Sequence, residues 1–376
     1  MAKIRFILMF VLLLGAASCA RYEIEGDDIP IDFGQYVLKS SKAGETFITS
    51  TGNLPHRSDV DESKRFAFGV FGFFHGEQTG PTAGSWTDGN TNHPNLMLNQ
   101  MVYWDNSAGK YVYSPARYWP RNPNDRISFF AYYPYDATGT VVLPMELDKD
   151  SDGMGKFRFW VNSNSGNQVD FMMSDLCVDQ SKAAGVLTGS GNVQFNFRHM
   201  LSQVQIADVN TVHENELVDI EVTSIRFKGL AIRGDLAPDY KEVSSVWTTT
   251  FDWDNYYTAG GNSSISVEKC YTDDVTPVLI PSKVQLMIPQ NLSGKTIEVE
   301  YTLTRWTDNT RTEKQYEYAG NKISTNLAIP GHYEWERNKI YKYTINLSPK
   351  AINFSAQIED WLPLSGDNSG GFIDLE

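Results

Sequence analysis

"YWPRNPNDRISFFAYYPYD", residues 118–136, is the stretch of sequence that decides the fold. It carries seven aromatic rings. In an extended chain, every second residue from Ile127 onward points to one face, which gives the apolar set Ile127, Phe129, Ala131, Tyr133 and Tyr135. The alternative is a platform on which sugars or bases stack. Because aromatic strands mostly belong to the core and sheet surface, we predict a strand with Phe129 and Tyr133 buried and Trp119 packed near its entry.

The same two-residue period recurs later in the chain. "TIEVEYTLTR" (296–305) alternates apolar residues with Glu and Thr, and "IYKYTINL" (340–347) and "AINFSAQIED" (351–360) repeat the pattern. The pattern indicates antiparallel strands with one face in a core and the other in water. Segments rich in Gly and Asn separate the strands, and no helical period of 3.6 residues is sustained. The sequence therefore predicts an all-β protein built as a β-sandwich.

The composition limits the class of protein. The chain has 376 residues, of which 41% are hydrophobic, so it can form a sizeable core. This length suits two ordinary domains or one large all-β domain. The formal net charge of −14 argues against a nucleic-acid partner, because an acidic surface repels phosphate.

The N-terminus has the form of an export signal. Lys3 and Arg5 precede an apolar run over residues 6–14, which is too short to span a bilayer as a helix. Small residues then lead to a cysteine in "GAASC", as in a lipoprotein cleavage site. We predict a signal peptide over 1–18, lipidation of Cys19 and an acidic tether over 19–30. A plain secretory signal cut near Ala17 is the alternative.

Candidate sites for chemistry are weak in this sequence. "DKDSDG" (148–153) begins like a calcium loop, but Phe159 stands where a bidentate Glu is required. A solvated acidic turn is the better interpretation, and a calcium loop of another type is the alternative. "GDNSGG" (366–371) differs from a serine-protease motif by an inserted Asn. His199 lies in an alternating aromatic stretch, which favours a core or sheet histidine over a ligand. We predict no metal, no cofactor and no catalytic residues.

Two cysteines follow Cys19 in the sequence, Cys177 and Cys270. Export would permit a disulfide between them. Two buried free thiols are the other interpretation, and no Cys or His spacing suggests zinc.

Several further stretches resemble, in order, those of a known family. After the lipoprotein signal come "IDFGQYVLKSSKAG" (31–44), "RFAFGVFGFF" (65–74), "MVYWDNSAGKYVYSPARYWPRNPNDRISFFAYYPYD" (101–136), "VDFMMSD" (169–175), "VQFNFRHMLSQVQI" (193–206) and "WERNKIYKYTINLSPKAINFSAQIEDW" (335–361). The ordered set resembles the fimbrillins, or Mfa-like proteins, of Gram-negative anaerobes. The resemblance spans nearly the whole mature chain, and the piece over 101–136 is its strongest part.

The resemblance implies two transthyretin-like β-sandwich domains in tandem. The Gly- and Ser-rich "AAGVLTGSGN" (183–192) is the expected boundary. We therefore predict an N-terminal sandwich over 31–190 and a C-terminal sandwich with its tail over 191–376. On this division, "VQFNFRH" (193–199) opens the second sandwich.

The resemblance also implies a non-enzymatic subunit of type V pili, exported as a lipoprotein to the outer membrane and the cell surface. In polymerising members a protease cuts after an arginine and removes the first strand, and the vacated groove accepts a strand from the next subunit. Here "IDFGQYVLKS" (31–40) is the predicted first strand, which buries Ile31, Phe33 and, further along, Val37.

The candidate cut site is Arg57, in the polar segment over 49–65, whose composition predicts an exposed loop. Arg65 is the second candidate. The tail over 362–376 is the candidate donor strand. Its apolar pattern is poor, with only Phe372, Ile373 and Leu375 near the end, so a terminal or non-polymerising subunit is the alternative.

The expected partners are other fimbrial subunits, either copies of this chain or accessory pilins, the outer membrane through the lipid, and a host protein or glycan. A different class of function stays open: a monomeric glycan-binding outer-membrane lipoprotein, favoured by nine tryptophans. A hydrolase is a third class, which the missing catalytic constellation disfavours.

Overall fold

The computed structural model describes residues 29–33, 46–47, 67–76, 94–105, 107–139, 141–145, 155–162, 168–181, 193–211, 217–243, 246–257, 264–268, 284–348 and 352–360. Within these ranges the regular elements are β-strands without a helix, which confirms the predicted all-β class. In the same ranges, no helix has the length and hydropathy to cross a membrane.

The strands are, in chain order, β1 (Thr46–Phe47), β2 (Phe68–Gly76), β3 (Met97–Asp105), β4 (Lys110–Val112), β5 (Arg126–Tyr133), β6 (Val142–Met145), β7 (Lys156–Trp160), β8 (Met172–Ser174), β9 (Cys177–Gln180), β10 (Asn196–His199), β11 (Ser202–Thr211), β12 (Val218–Lys228), β13 (Arg233–Val243), β14 (Val246–Tyr257), β15 (Ser264–Glu268), β16 (Val284–Met287), β17 (Gln290–Asn291), β18 (Thr296–Trp306), β19 (Lys314–Asn326), β20 (Glu334–Trp335), β21 (Lys339–Leu347) and β22 (Ile352–Asp360).

The stretch quoted above forms β5, which lies in a large sheet of strand order β1-β10-β8-β5-β2-β3-β4, with β9 also paired to β5. Phe129 and Tyr133 are fully buried, as predicted. Trp119 is buried as well, and its ring meets the Phe129 ring edge-on at a centroid distance of 6.2 Å. Buried rings cannot stack on a sugar or a base from solution, so the core interpretation is confirmed.

Both faces of β5 are covered. Ile127, Phe129, Ala131 and Tyr133 belong to a cluster that we call the N-terminal core, which also holds Ile31, Phe33, Phe68, Val70, Met97, Val102, Tyr111, Trp119, Met172, Val193, Phe195 and Phe197. Phe130 and Tyr132 face a second cluster, the main core, which extends to Val299 and Ile345. Tyr135 was predicted to share the face of Phe129. It packs against the main core instead, because β5 ends at Tyr133 and the alternation stops there.

Two glycines of β2 make room for aromatic rings of β5. Gly69 pairs with Tyr132, and a Cβ on Gly69 would lie 2.1 Å from Tyr132 Cε1. Gly72 pairs with Phe129, whose Cε1 would lie 3.1 Å from such a Cβ. Glycine in a strand often marks such a close approach. The bare backbone of β2 therefore lets these two rings lie across the neighbouring strand.

Two four-stranded sheets in the second half have the strand orders β16-β11-β21-β22 and β15-β12-β18-β19. Buried side chains of β11, β12, β18 and β21 belong to the main core. This is the arrangement of a β-sandwich. The predicted inward faces of β18 and β21 are confirmed, since Ile297, Val299 and Ile345 are fully buried. One pairing differs from the expected antiparallel pattern, because β11 and β21 run parallel. A parallel pair needs a long crossover, and strands β12 to β20 provide it here.

Glu298 departs from the predicted alternation of β18. The sequence places it on the water-facing side, yet only 8% of the residue is exposed. Its carboxylate accepts a hydrogen bond from Lys228 Nζ at 2.5 Å and lies 3.5 Å from Arg226 Nη1, both on the adjacent β12. The hydrogen bond from Lys228 is the main cause of its lowered pKa. Cross-strand cations therefore cover this carboxylate on the outer face of the sheet.

A third four-stranded sheet, β14-β13-β7-β6, joins strands from both sides of the predicted boundary near residue 190. Arg158 on β7 donates hydrogen bonds of 2.6 and 2.8 Å to the carboxylate of Asp235 on β13. The stretch over 193–199 also differs from expectation. Its strand β10 pairs with β8 and β1 in the large sheet, because Phe195 and Phe197 complete the N-terminal core. The division into domains of 31–190 and 191–376 stays a prediction.

Candidate functional site

Residues 29–33, which we call the N-terminal segment, lie between two parts of the chain that are distant in sequence. On one side, Ile31 N–H donates to Arg117 O at 2.9 Å and Trp119 N–H donates to Ile29 O at 3.0 Å. On the other side, Val193 N–H donates to Asp32 O at 3.0 Å. The segment runs antiparallel to residue 118 and parallel to residue 193. It therefore uses both backbone edges, as an inserted strand does.

The side chains of the segment anchor it in the N-terminal core. Ile31 is fully buried and Phe33 is 3% exposed. The Phe33 ring stacks on Phe195 at 5.5 Å and meets Phe129 edge-on at 5.9 Å. These contacts confirm the predicted burial of Ile31 and Phe33. Val37 lies outside the described residues.

Two polar side chains hold the segment from the β4 side. Tyr113 Oη–H donates to Ile31 O at 2.7 Å, and burial raises the pKa of Tyr113 to about 12. The phenol therefore remains a donor throughout the physiological pH range. Lys110 Nζ lies 3.5 Å from Asp32 Oδ2 in a partly exposed ion pair. Backbone, apolar and charged contacts thus meet within five residues.

The residues that hold the N-terminal segment form a groove, and another strand could make the same contacts with it. Without the segment, Arg117 O, Val193 N–H and Tyr113 Oη would each lose a hydrogen bond, and the rings of Phe129 and Phe195 would lose their contacts with Phe33. Unpaired strand edges beside an apolar groove are a template for an added strand. The arrangement can therefore bind an extended peptide.

The other predicted sites fall mostly outside the described residues. These are Cys19, Arg57, Arg65, the acidic turn from Asp148 to Asp152, Cys270 and the tail over 362–376. Cys177 is described and is a free thiol, whose S–H donates to Gln194 O at 3.0 Å. Burial raises the pKa of this thiol.

His199 is a core histidine, as predicted. Its side chain is fully buried on β10, and Nδ1 pairs with a carboxylate oxygen of the buried Asp170. Phe159, which stands in place of the calcium-binding Glu, is buried on β7 and stacks on Phe171 at 4.9 Å. Within the described ranges, no group of three or more His, Cys, Asp or Glu residues is placed to hold a metal.

The structure also brings together a serine and a histidine that sequence reasoning missed. His75 Nε2 and Ser128 Oγ lie 2.8 Å apart, and Asp179 N–H donates to the same hydroxyl at 3.1 Å. Ser128 is fully buried, so its hydroxyl is not open to a substrate. Burial lowers the pKa of His75 to about 4. We interpret the pair as a structural link between β2, β5 and β9.

This link predicts a pH dependence of stability. In the unfolded chain His75 has its ordinary pKa near 6.5 and in the fold about 4, so the unfolded state binds more protons between these values. The contribution of His75 to the free energy of unfolding is therefore greatest above pH 6.5, and it falls by about 2–3 kcal/mol as the pH drops to 4. His75→Gln keeps an amide near Ser128 but cannot take up the proton, and we expect a flatter unfolding free energy over this range.

Urea unfolding at several pH values measures this slope. The matched control is His332→Gln, a partly buried histidine paired with Ile329 in an isolated β-bridge. Asp136 does not interfere. Although burial opposes it, hydrogen bonds from Val141, Thr138 and Val142 lower the Asp136 pKa to about 2, so its contribution is lost only below about pH 4. An unchanged slope in His75→Gln would rule out His75 as the cause.

The fold and this site define a class of protein: an all-β protein whose N-terminal segment is inserted as a strand into its own core. Comparison with known families then gives the particular assignment. The chain belongs to the fimbrillin-like family, whose model matches residues 65–361. This confirms the resemblance stated from the sequence. The match begins just before β2 and does not include the N-terminal segment. No curated protein matches the chain in sequence.

Solved structures that are similar to this chain come from Bacteroides and Porphyromonas species. A fimbrial protein from Bacteroides vulgatus has 21% sequence identity and a TM-score of 0.51, with 78% of this chain and 92% of that chain covered. A candidate cell adhesion protein from Bacteroides uniformis has 16% identity and a TM-score of 0.44, covering 88% and 99%. A fimbrilin from Porphyromonas gingivalis has 8% identity and a TM-score of 0.39, covering 90% and 99%. The first of these shows that the fold is shared.

Proposed function

We propose that this chain is a structural or adhesive subunit of a cell-surface fimbria that assembles by donor-strand exchange. Family membership supports the fimbrial role. In the proposed mechanism, a protease cuts after Arg57, or after Arg65, and the N-terminal segment leaves its groove. A strand from the tail over 362–376 of another subunit then fills the groove. Because the contact is head-to-tail and does not close, repeated addition gives a filament.

The observation that carries the proposal is the insertion of the N-terminal segment. Its bonds to residues 117–119 and 193 and the burial of Ile31 and Phe33 are the contacts of an added strand. Both candidate cut sites lie between Phe33 and β2, so either cut detaches the segment from the chain that forms the groove.

The proposal includes export and anchoring through Cys19. The apolar run that ends in "GAASC" supports lipidation, and stable anchoring of a lipoprotein takes more than one acyl chain. The subunit is thereby placed at the outer membrane before assembly. Incorporation of labelled fatty acid should be lost in Cys19→Ser, and unchanged labelling would exclude this anchor.

The assembly mechanism is tested by limited cleavage of the purified protein with an Arg-specific protease, followed by size-exclusion chromatography. Cleavage after Arg57 should release the segment and produce SDS-resistant, heat-labile oligomers. Arg57→Lys keeps the charge, blocks that cut and is the matched control, and Arg65→Lys tests the second site. Clean release of the segment with only monomers remaining would overturn donor-strand exchange, as would oligomers that persist after deletion of residues 362–376.

A monomeric glycan-binding lipoprotein is the second candidate function. One observation favours it: Tyr316 and Tyr318 on β19 are 36% and 59% exposed, and their rings lie 5.0 Å apart. Exposed aromatic rings can stack on sugars. Glycan binding that is lost in Tyr318→Ala, in a protein that stays monomeric after cleavage, would select this function.

A further inference from the structure

The dipeptide Ile-Asp occurs twice in the whole sequence. The first instance is Ile31-Asp32, followed by Phe33 in the N-terminal segment. The second is Ile373-Asp374, followed by Leu375 near the end of the tail. Both instances place an acidic residue between two large apolar residues. In an extended chain, the apolar pair therefore points to one side and the carboxylate to the other.

The structure shows where each residue of the first instance lies in the groove. Ile31 and Phe33 enter the N-terminal core, and Asp32 faces Lys110. The hydrogen bonds to Arg117 O, Val193 N–H and Tyr113 Oη use only the backbone of the segment, so they do not depend on its side chains. Selection of an occupant must therefore come from the two apolar sites and from the positive charge of Lys110.

We propose that Lys110 sets the register of the incoming strand by pairing with Asp374 of a second copy of this chain. Ile373 then takes the site of Ile31, and Leu375 takes the site of Phe33. The inference rests on the proposed donor-strand exchange. It adds the register of the incoming strand and the residue that selects this register. A shift of the strand by one residue would turn Asp374 into the core and both apolar residues outward.

The apolar-acidic-apolar order also occurs elsewhere in the sequence, and two examples with aspartate lie in the fold of their own chain. They are Val169-Asp170-Phe171 and Val218-Asp219-Ile220, in which Phe171 and Ile220 are buried. The tail can reach a neighbouring copy, because residues 361–372 separate β22 from Ile373. Twelve extended residues span about 40 Å.

The difference between the two instances gives the exchange a direction. Leu375 is smaller than Phe33 and has no ring to stack on Phe195. The attached N-terminal segment, with its high effective concentration, therefore excludes the tail. Once cleavage frees the segment, it diffuses away and the tail of another copy fills the groove.

A charge exchange in the full chain tests the register. The variants are Lys110→Glu, Asp374→Lys and the double variant, each cleaved with the Arg-specific protease and assayed for oligomers by size. We expect each single variant to weaken association about three- to tenfold and the double variant to restore it to within about twofold. The losses should shrink in 1 M salt, which screens a partly exposed pair.

Matched controls separate register from net charge. Lys314→Glu changes a lysine of similar exposure on β19, and Glu376→Lys changes a tail charge two residues away; neither should weaken association by more than about twofold. Thermal melting confirms that each variant folds. Leu375→Phe should strengthen association several-fold, because it restores the ring that the Phe33 site accommodates.

The outcomes distinguish this inference from the proposed function. Normal oligomers in both single variants, or a double variant as weak as the sum of the singles, would refute the role of Lys110 and leave donor-strand exchange standing. Released segments without oligomers in the unmodified chain would refute both. Rescue by the double variant with unaffected controls supports the register.

Discussion

Replacing Phe129 by Ala is expected to lower the free energy of unfolding by about 3–5 kcal/mol, as for other fully buried aromatic residues. The Phe129 side chain is completely buried at the centre of the large sheet. Its ring contacts those of Phe33 and Trp119 and lies across Gly72. A cavity there removes contacts from three separate elements, and the strands on either side of β5 limit its collapse.

Urea denaturation followed by fluorescence measures this loss. The matched control is Tyr118→Ala, from the same stretch of sequence, because Tyr118 is 50% exposed. We expect the control to change stability by less than about 0.5 kcal/mol, as surface substitutions usually do. Equal losses in the two variants would contradict the placement of Phe129 at the centre of the core.

The sequence predicted those features that depend on local alternation. The inward faces of β5, β18 and β21 follow from the two-residue period, and burial of Phe129, Val299 and Ile345 confirms them. The period alone does not show how many faces of a strand are covered. For β5 the signal was present in "ISFFAYY" (127–133), where both alternating sets are mostly apolar, as in strands buried on both sides.

Pairings between distant strands could not be predicted from local sequence. The parallel pairing of β11 with β21 and the shared sheet of β7 and β13 depend on which surfaces remain uncovered after the nearer strands have paired. The His75–Ser128 link joins residues 53 positions apart, and neither lies in a recognisable motif. Such contacts are results of the three-dimensional packing, so no spacing rule contains them.

The candidate site was predictable in part. The alternation of Ile31 and Phe33 indicated a strand with two buried anchors, which the structure confirms. Its neighbours were not predictable, because the segment pairs with residue 118 on one side and with residue 193 on the other. The role of Lys110 also required the structure, since nothing in "GKYVY" (109–113) indicates that its lysine faces Asp32.

Replacing Phe33 by Ala is expected to weaken docking of the N-terminal segment by about 3 kcal/mol, the lower part of the range for buried aromatic residues. Phe33 is 3% exposed and is held by ring contacts to Tyr113, Phe129 and Phe195. Because the segment is short and its remaining anchor is Ile31, the loss should appear as local opening as well as lower overall stability.

Native-state proteolysis distinguishes local opening from global unfolding. If the segment opens by itself, cleavage within residues 29–33 should be about 100-fold faster in Phe33→Ala, because 3 kcal/mol corresponds to about two powers of ten in the open population. Cleavage within β5 should accelerate much less. Ile29→Ala, in the same segment, is the control, since Ile29 is 40% exposed and should leave both rates nearly unchanged.

A double variant of Phe33 and Phe129 tests whether the segment and the sheet share one core. The two rings meet edge-on at 5.9 Å, so the losses of the single variants should not add. We expect a coupling of about 0.5–1.5 kcal/mol, the usual value for an aromatic pair. Full additivity would place Phe33 outside the core of β5. Equal acceleration of cleavage in the segment and in β5 would instead make the segment an inseparable part of the sheet, and a strand that cannot leave its groove alone cannot be exchanged for another.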